Sequence, residues 1–146
     1  MKHRASAIAL CAALLTGTGA AHAALPEEAT LYKNPGCSCC DEYAKHLEEM
    51  GVSVEVVEHE VLAEIKQQAG VPHGLGSCHT IKMGDHWVEG HVPMEALEAF
   101  FKDTPQADGI GLAGMPIGTP GMPGEKQGPF EVYLFDDQQS TPYMEL

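Results

Sequence analysis

Residues 29–57, ATLYKNPGCSCCDEYAKHLEEMGVSVEVV, carry the reading that decides the fold. Ala29 to Lys33 is a short run of strand formers, and Asn34-Pro35-Gly36 after it is a turn signal. From about Cys40 to Met50 a helix is predicted. Tyr43, Leu47 and Met50 recur at i, i+4 and i+7, the period of a helix with one buried face, and Gly51 is a suitable stop. Val52 to Val57 alternates and is β-branched, so it reads as a strand. Strand, helix and strand in this order make a βαβ unit with parallel strands.

Downstream, Val61 to Ala69 reads as a helix ended by Gly70. Thr80 to Met83 and Trp87 to Glu89 read as two short strands joined at Gly84-Asp85. Pro93 suits the first turn of a further helix, with Met94, Leu97 and Phe101 on one face. A βαβ unit followed by a hairpin and a helix is the thioredoxin plan. From Asp103 to Pro129 glycine and proline dominate and no period survives; a structureless loop that long is unusual inside a compact domain. Phe130 to Phe135 then reads as one more strand. The expected fold class is therefore α/β, thioredoxin-like, with a Gly/Pro/Met-rich C-terminal extension. Residues 24–102 are the expected core, and residues 103–146 the extension with its final strand.

Upstream, the first 23 residues join a basic start (Lys2, His3, Arg4), an apolar run from Ala5 to Leu15 and a small-x-small site at Ala21-His22-Ala23. That order is the pattern of a secretory signal peptide cleaved after Ala23, and the run is too short to span a bilayer. Cys11 would leave with it. The leader carries two cations and no acids, so the remainder would carry −15 against −13 for the whole chain. So acidic a protein is not expected to bind nucleic acid through its overall field, and it attracts cations. No second apolar stretch is long enough for a membrane span. The expectation is a soluble periplasmic monomer.

Four cysteines then remain: Cys37, Cys39, Cys40 and Cys78. Three of them fall within four residues. Adjacent Cys39 and Cys40 would make a poor disulfide, since neighbouring Cα atoms lie closer than the usual disulfide range. Clustered thiols read better as metal ligands or a redox site. Cys37 and Cys40 have C-x-x-C spacing at a predicted helix start, where exposed N–H groups favour thiolate over thiol, and are the candidate catalytic pair. Cys39 is superfluous to a dithiol switch and adds a third soft donor. Ser77-Cys78-His79-Thr80 opens the third strand, where the thioredoxin plan packs a cis-proline against the redox motif. Cys78 and His79 stand in its place. His91, before the last predicted helix, serves either as a ligand or as a backbone hydrogen-bonding residue.

The extension holds two Gly-Met-Pro triplets, around Met115 and Met122. A thioether is a soft, neutral donor suited to Cu(I); the other reading is that both methionines anchor the loop as hydrophobes. Gly109-x-Gly111-x-x-Gly114 mimics a dinucleotide-binding fingerprint, but Pro116 and Pro120 forbid the helix that should follow. Met83, His46, His59, His73 and His86 are scattered, and surface or core roles suit them, His86 being the best placed as an extra ligand. Zinc has little use for methionine, and an iron–sulfur cluster does not survive secretion as an unfolded chain. Copper uses thiolate, imidazole and thioether alike.

These residues resemble the CopG family of periplasmic copper-resistance proteins. The resemblance rests on Leu31-Tyr32-Lys33 leading into Cys37-x-Cys39-Cys40, on Ser77-Cys78-His79-Thr80, on Glu89-Gly90-His91-Val92-Pro93, on Gly114-Met115-Pro116-x-Gly118-Thr119-Pro120-Gly121-Met122, and on Leu134-Phe135-Asp136. It implies a thioredoxin-like fold with a metal-binding extension, a cysteine-bridged copper cluster of several ions and interconversion of Cu(I) and Cu(II). It also implies Cys37, Cys39, Cys40 and Cys78 as cluster ligands, with His79, His91, Met115 and Met122 as further ligands or their supports. A periplasmic copper-efflux system or copper chaperone is the expected partner. A copper chaperone or sink without turnover, and a thiol–disulfide oxidoreductase using Cys37 and Cys40, are the alternatives.

Overall fold

The structure is a computed structural model and describes residues 25–146; the expected signal peptide and Cys11 lie outside the described residues. Ten elements follow one another: β1 (Glu28–Lys33), α1 (Ser38–Glu49), β2 (Ser53–Glu58), α2 (Leu62–Gln68), β3 (His79–Met83), β4 (His86–Glu89), α3 (Met94–Asp103), β5 (Gly109–Gly111), β6 (Glu131–Asp136) and β7 (Gln139–Glu145). All seven strands form one sheet in the order β2-β1-β3-β4-β5-β6-β7. The β1/β2 and β4/β5 pairs are parallel and the rest antiparallel. The chain is thus a mixed α/β protein, with the βαβ unit, hairpin and helix in the expected order.

Local chemistry explains the ends of α1. Asn34-Pro35-Gly36 turns the chain with Gly36 at φ +76, and the Cys37 N–H donates to the Asn34 carbonyl at 3.3 Å. At the other end Gly51 adopts φ +88, its N–H reaches the Glu48 carbonyl, and the Val52 N–H reaches that of Leu47. Those two bonds close a Schellman motif, which a left-handed glycine permits. Cys40, Tyr43, Ala44 and Leu47 are buried.

The register aligns an apolar row through the sheet. Leu31 faces Ile81, Ile81 faces Val88, and Val88 faces Ile110. All four have zero exposure, as do Tyr43 and Leu47 of α1 and Leu97 and Phe100 of α3, in the same core cluster. Burying each such side chain contributes about 1.5–3 kcal/mol.

Two strands were not foreseen. The run from Asp103 to Pro129 contains β5, which bridges β4 and β6. Its Gly-Ile-Gly sequence has little strand propensity. The glycines are there for space: a Cβ on Gly109 would stand 2.5 Å from the Phe135 ring, and one on Gly111 2.8 Å from Leu75. Beyond β6 the chain does not end in a single strand but turns back as β7 through Asp137 and Gln138, both at positive φ. β7 is an edge strand, mostly exposed, which tolerates Pro142 and lacks the alternation that marks half-buried strands.

Candidate metal centre

Antiparallel pairing collects the candidate site at one end of the sheet. Lys33, the last residue of β1, faces His79, the first of β3, and Thr80 faces Glu89, the last of β4. The cysteine motif leaves the end of β1, Cys78 precedes β3 and His91 follows β4, so three segments distant in sequence converge.

The four sulfurs meet there. Cys37 is the N-cap of α1 and is disulfide-bonded to Cys40, with Cα atoms 5.5 Å apart. Cys39 and Cys78 are free thiols, half-buried. Cys39 Sγ lies 3.4 Å from Cys37 Sγ and 3.8 Å from Cys78 Sγ, and Cys78 Sγ lies 3.5 Å from Cys40 Sγ. Two imidazoles complete the group: His91 Nε2 is 3.0 Å and His79 Nδ1 3.4 Å from Cys78 Sγ. Ligand atoms of the four cysteines lie within 4.8 Å of one another, as do those of Cys78, His79 and His91.

The electrostatics favour neutral donors until a metal arrives. Burial, then the neighbouring Cys39 charge, pushes the Cys78 thiol up to about 12. Burial, then the His91 and Lys66 charges, holds His79 well below its ordinary value, and burial lowers His91. Both imidazoles are therefore in the form that ligates metal. The tautomer of His91 is set from outside, because its Nδ1 faces the Pro120 carbonyl at 2.7 Å and a carbonyl can only accept. The proton is on Nδ1, and the Nε2 lone pair points at Cys78. His79 Nε2 is buried with no hydrogen-bond partner, an arrangement that proteins avoid unless something else fills the need. Thiolates and neutral imidazoles suit a soft or borderline transition metal.

The family model described as a protein of unknown function, DUF411, matches residues 75–122, the segment with Cys78, His79, His91 and both loop methionines. No curated protein sequence matches. Two solved structures, described as forms 1 and 2 of copper resistance protein CopG, are each 31% identical in sequence. Each alignment covers 83% of this chain and 98% of that one, at a TM-score of 0.75. The chain belongs to the CopG family of copper resistance proteins.

In this CopG-family chain the structure brings Cys37, Cys39, Cys40, Cys78, His79 and His91 together. His91 combines the two roles left open for it, backbone partner through Nδ1 and candidate ligand through Nε2. Met115 is 49% exposed, while Met122 lines a groove of about 810 Å³ with Met94, His46, Glu42 and Glu95. Met83 is buried in the core. His86 packs its ring on Phe100 and Phe101, with Nδ1 3.1 Å from the Ala107 carbonyl.

Sequence reasoning missed three supports. Tyr43 buries its ring against both imidazoles, with centroids 4.7 and 5.5 Å away, and its hydroxyl donates to the Val92 carbonyl at 2.8 Å. Glu89 is a buried carboxylate that accepts from the Ser77 N–H at 2.6 Å, the Thr80 hydroxyl at 2.7 Å and the Lys66 ammonium. It thereby holds the segment that carries Cys78. Gly121 takes φ +81 and lets the loop lie against the Cys39 carbonyl and His91. Pairing of Glu89 with Lys66 had no local signal; a glutamate at the end of an apolar strand was the only clue.

Proposed function

We propose that this chain is an exported copper-binding protein of copper resistance that takes copper between Cu(I) and Cu(II) at the cysteine–histidine centre. The observation that carries the reading is the meeting of four sulfurs and two neutral imidazoles at one end of the sheet. Thiolates favour Cu(I) and imidazoles tolerate Cu(II), so a shared site narrows the penalty for changing oxidation state. Once a dithiol has reduced the Cys37–Cys40 disulfide, Cys37, Cys39, Cys40 and Cys78 would hold several ions as thiolates, with His79 and His91 as further donors. Met115, exposed on its loop, and Met122 in its groove would receive Cu(I) on its way in or out. Bound copper would supply a one-electron couple; the protein's part is to hold donors rigidly, as the Pro120 carbonyl holds His91. The thioredoxin-like core of residues 24–102 would provide the scaffold and residues 103–146 the cover. The signal-peptide pattern of the first 23 residues supports a periplasmic location, where an efflux system or a copper chaperone would exchange metal with it.

The test is elemental analysis of protein purified from periplasm, followed by anaerobic titration with Cu(I). Several tightly held coppers per chain are expected, and a redox titration of that form should be reversible with copper retained. Retention without a reversible couple would reduce the function to a chaperone or sink. A second reading is favoured by the Cys37–Cys40 disulfide at the start of α1: thiol–disulfide exchange without metal. Little bound copper, together with metal-free disulfide reductase activity, would establish it instead.

A further inference from the structure

The sulfurs form a closed ring with one bonded edge. Cys37 is bonded to Cys40; Cys40 and Cys78 are 3.5 Å apart, Cys78 and Cys39 3.8 Å, and Cys39 and Cys37 3.4 Å. Once Cys37 and Cys40 are paired, the free cysteines among the described residues are Cys39 and Cys78. They face each other from the first turn of α1 and the residue before β3. Side-chain rotations of the kind that interconvert rotamers would close 3.8 Å to a bond of about 2.05 Å. Both cysteines are only partly buried, so ions can approach them, and the acidic chain draws cations.

We infer that the cysteines are themselves an electron source for copper: Cys39 and Cys78 reduce Cu(II) to Cu(I) and close a second disulfide. This rests on the copper reading above. Two S–H bonds break and one S–S bond forms. The two electrons go singly to two Cu(II) ions, and the two protons go to water. The fully reduced chain holds four such electrons, and the chain with Cys37–Cys40 closed holds two. An external dithiol must reopen the disulfides, so without one the chain reacts once.

The experiment uses the mature protein without oxygen, fully reduced and desalted, or with the Cys37–Cys40 disulfide verified by peptide mapping. Cu(II) is added with a colorimetric Cu(I) chelator. Four Cu(I) per chain are expected from the reduced form and two from the disulfide form. In the latter, the peptide holding Cys37 to Cys40 becomes linked to the one holding Cys78. Cys39→Ser and Cys78→Ser should each abolish the two Cu(I) from the disulfide form. No Cu(I) from the wild-type disulfide form overturns the inference, as does Cu(I) release without the new link or with links between chains. Direct titration with Cu(I) is run alongside. A chain that binds Cu(I) but does not produce it retains the copper reading and loses this one; a chain that does neither loses both.

Discussion

Replacing Gly121 by alanine should unseat the loop that orients His91. The residue has φ +81, and its added Cβ would stand 2.6 Å from the Cys39 carbonyl oxygen, 3.0 Å from the Tyr43 nitrogen and 3.3 Å from His91 Nδ1. The left-handed backbone alone costs a residue with a Cβ about 1–2 kcal/mol. The first two contacts are to backbone, so the loop or the helix must retreat, at about 1–3 kcal/mol, as for an extra carbon forced into packed protein. If the loop yields, the 2.7 Å bond from His91 to the Pro120 carbonyl goes too, about 1 kcal/mol more. The sum is about 3–6 kcal/mol, a fall of roughly 10 °C or more in Tm for a chain of this size. Two controls divide the effect. Gly114→Ala has φ +68 but open space around its Cβ, and should lose about 1 kcal/mol. Gly128→Ala has open space and no left-handed φ, and should be within about 0.5 kcal/mol of neutral. Urea and thermal unfolding of the metal-free proteins measure all three. A Gly121→Ala protein no less stable than Gly114→Ala would refute the docking of the loop on the site.

Glu89→Gln leaves the Lys66 ammonium without its carboxylate and should destabilise the chain by about 3–5 kcal/mol, with part regained in Glu89→Gln/Lys66→Met; urea unfolding of both decides. Tyr43→Phe strands the buried Val92 carbonyl and should cost about 1–3 kcal/mol by the same assay, while Cu(I) stoichiometry stays as in wild type. Cys39→Ser should keep the fold, by circular dichroism, and bind fewer coppers in anaerobic titration; unchanged copper content would mean that Cys39 is not a ligand. Cu(I) at about one hundred times its Kd should stabilise the chain by about 2.7 kcal/mol, reversed by a chelator; a Tm indifferent to Cu(I) would contradict binding to the folded state.

The elements around the site were legible because their signals are local. Tyr43 and Leu47 mark the buried face of α1, Gly36 and Gly51 bound it, and the β-branched Val54, Val56 and Val57 mark β2 as a strand. The donors were legible for the same reason, since the chemistry of a thiol or an imidazole travels with the residue. What the chain alone determined, then, was which segments are regular and which atoms can ligate. Tertiary structure decided which atoms meet. Antiparallel pairing of β1 with β3 and of β3 with β4 brings Cys78 to Cys40 and His91 to Cys78. β5 exists because Gly109 and Gly111 admit Phe135 and Leu75 to close range, a reason invisible in Gly-Ile-Gly itself. The charge pair of Glu89 with Lys66 and the tautomer of His91 depend on partners 23 and 29 residues away. Such contacts form only after the sheet has set its register, because no local periodicity encodes a distance across strands.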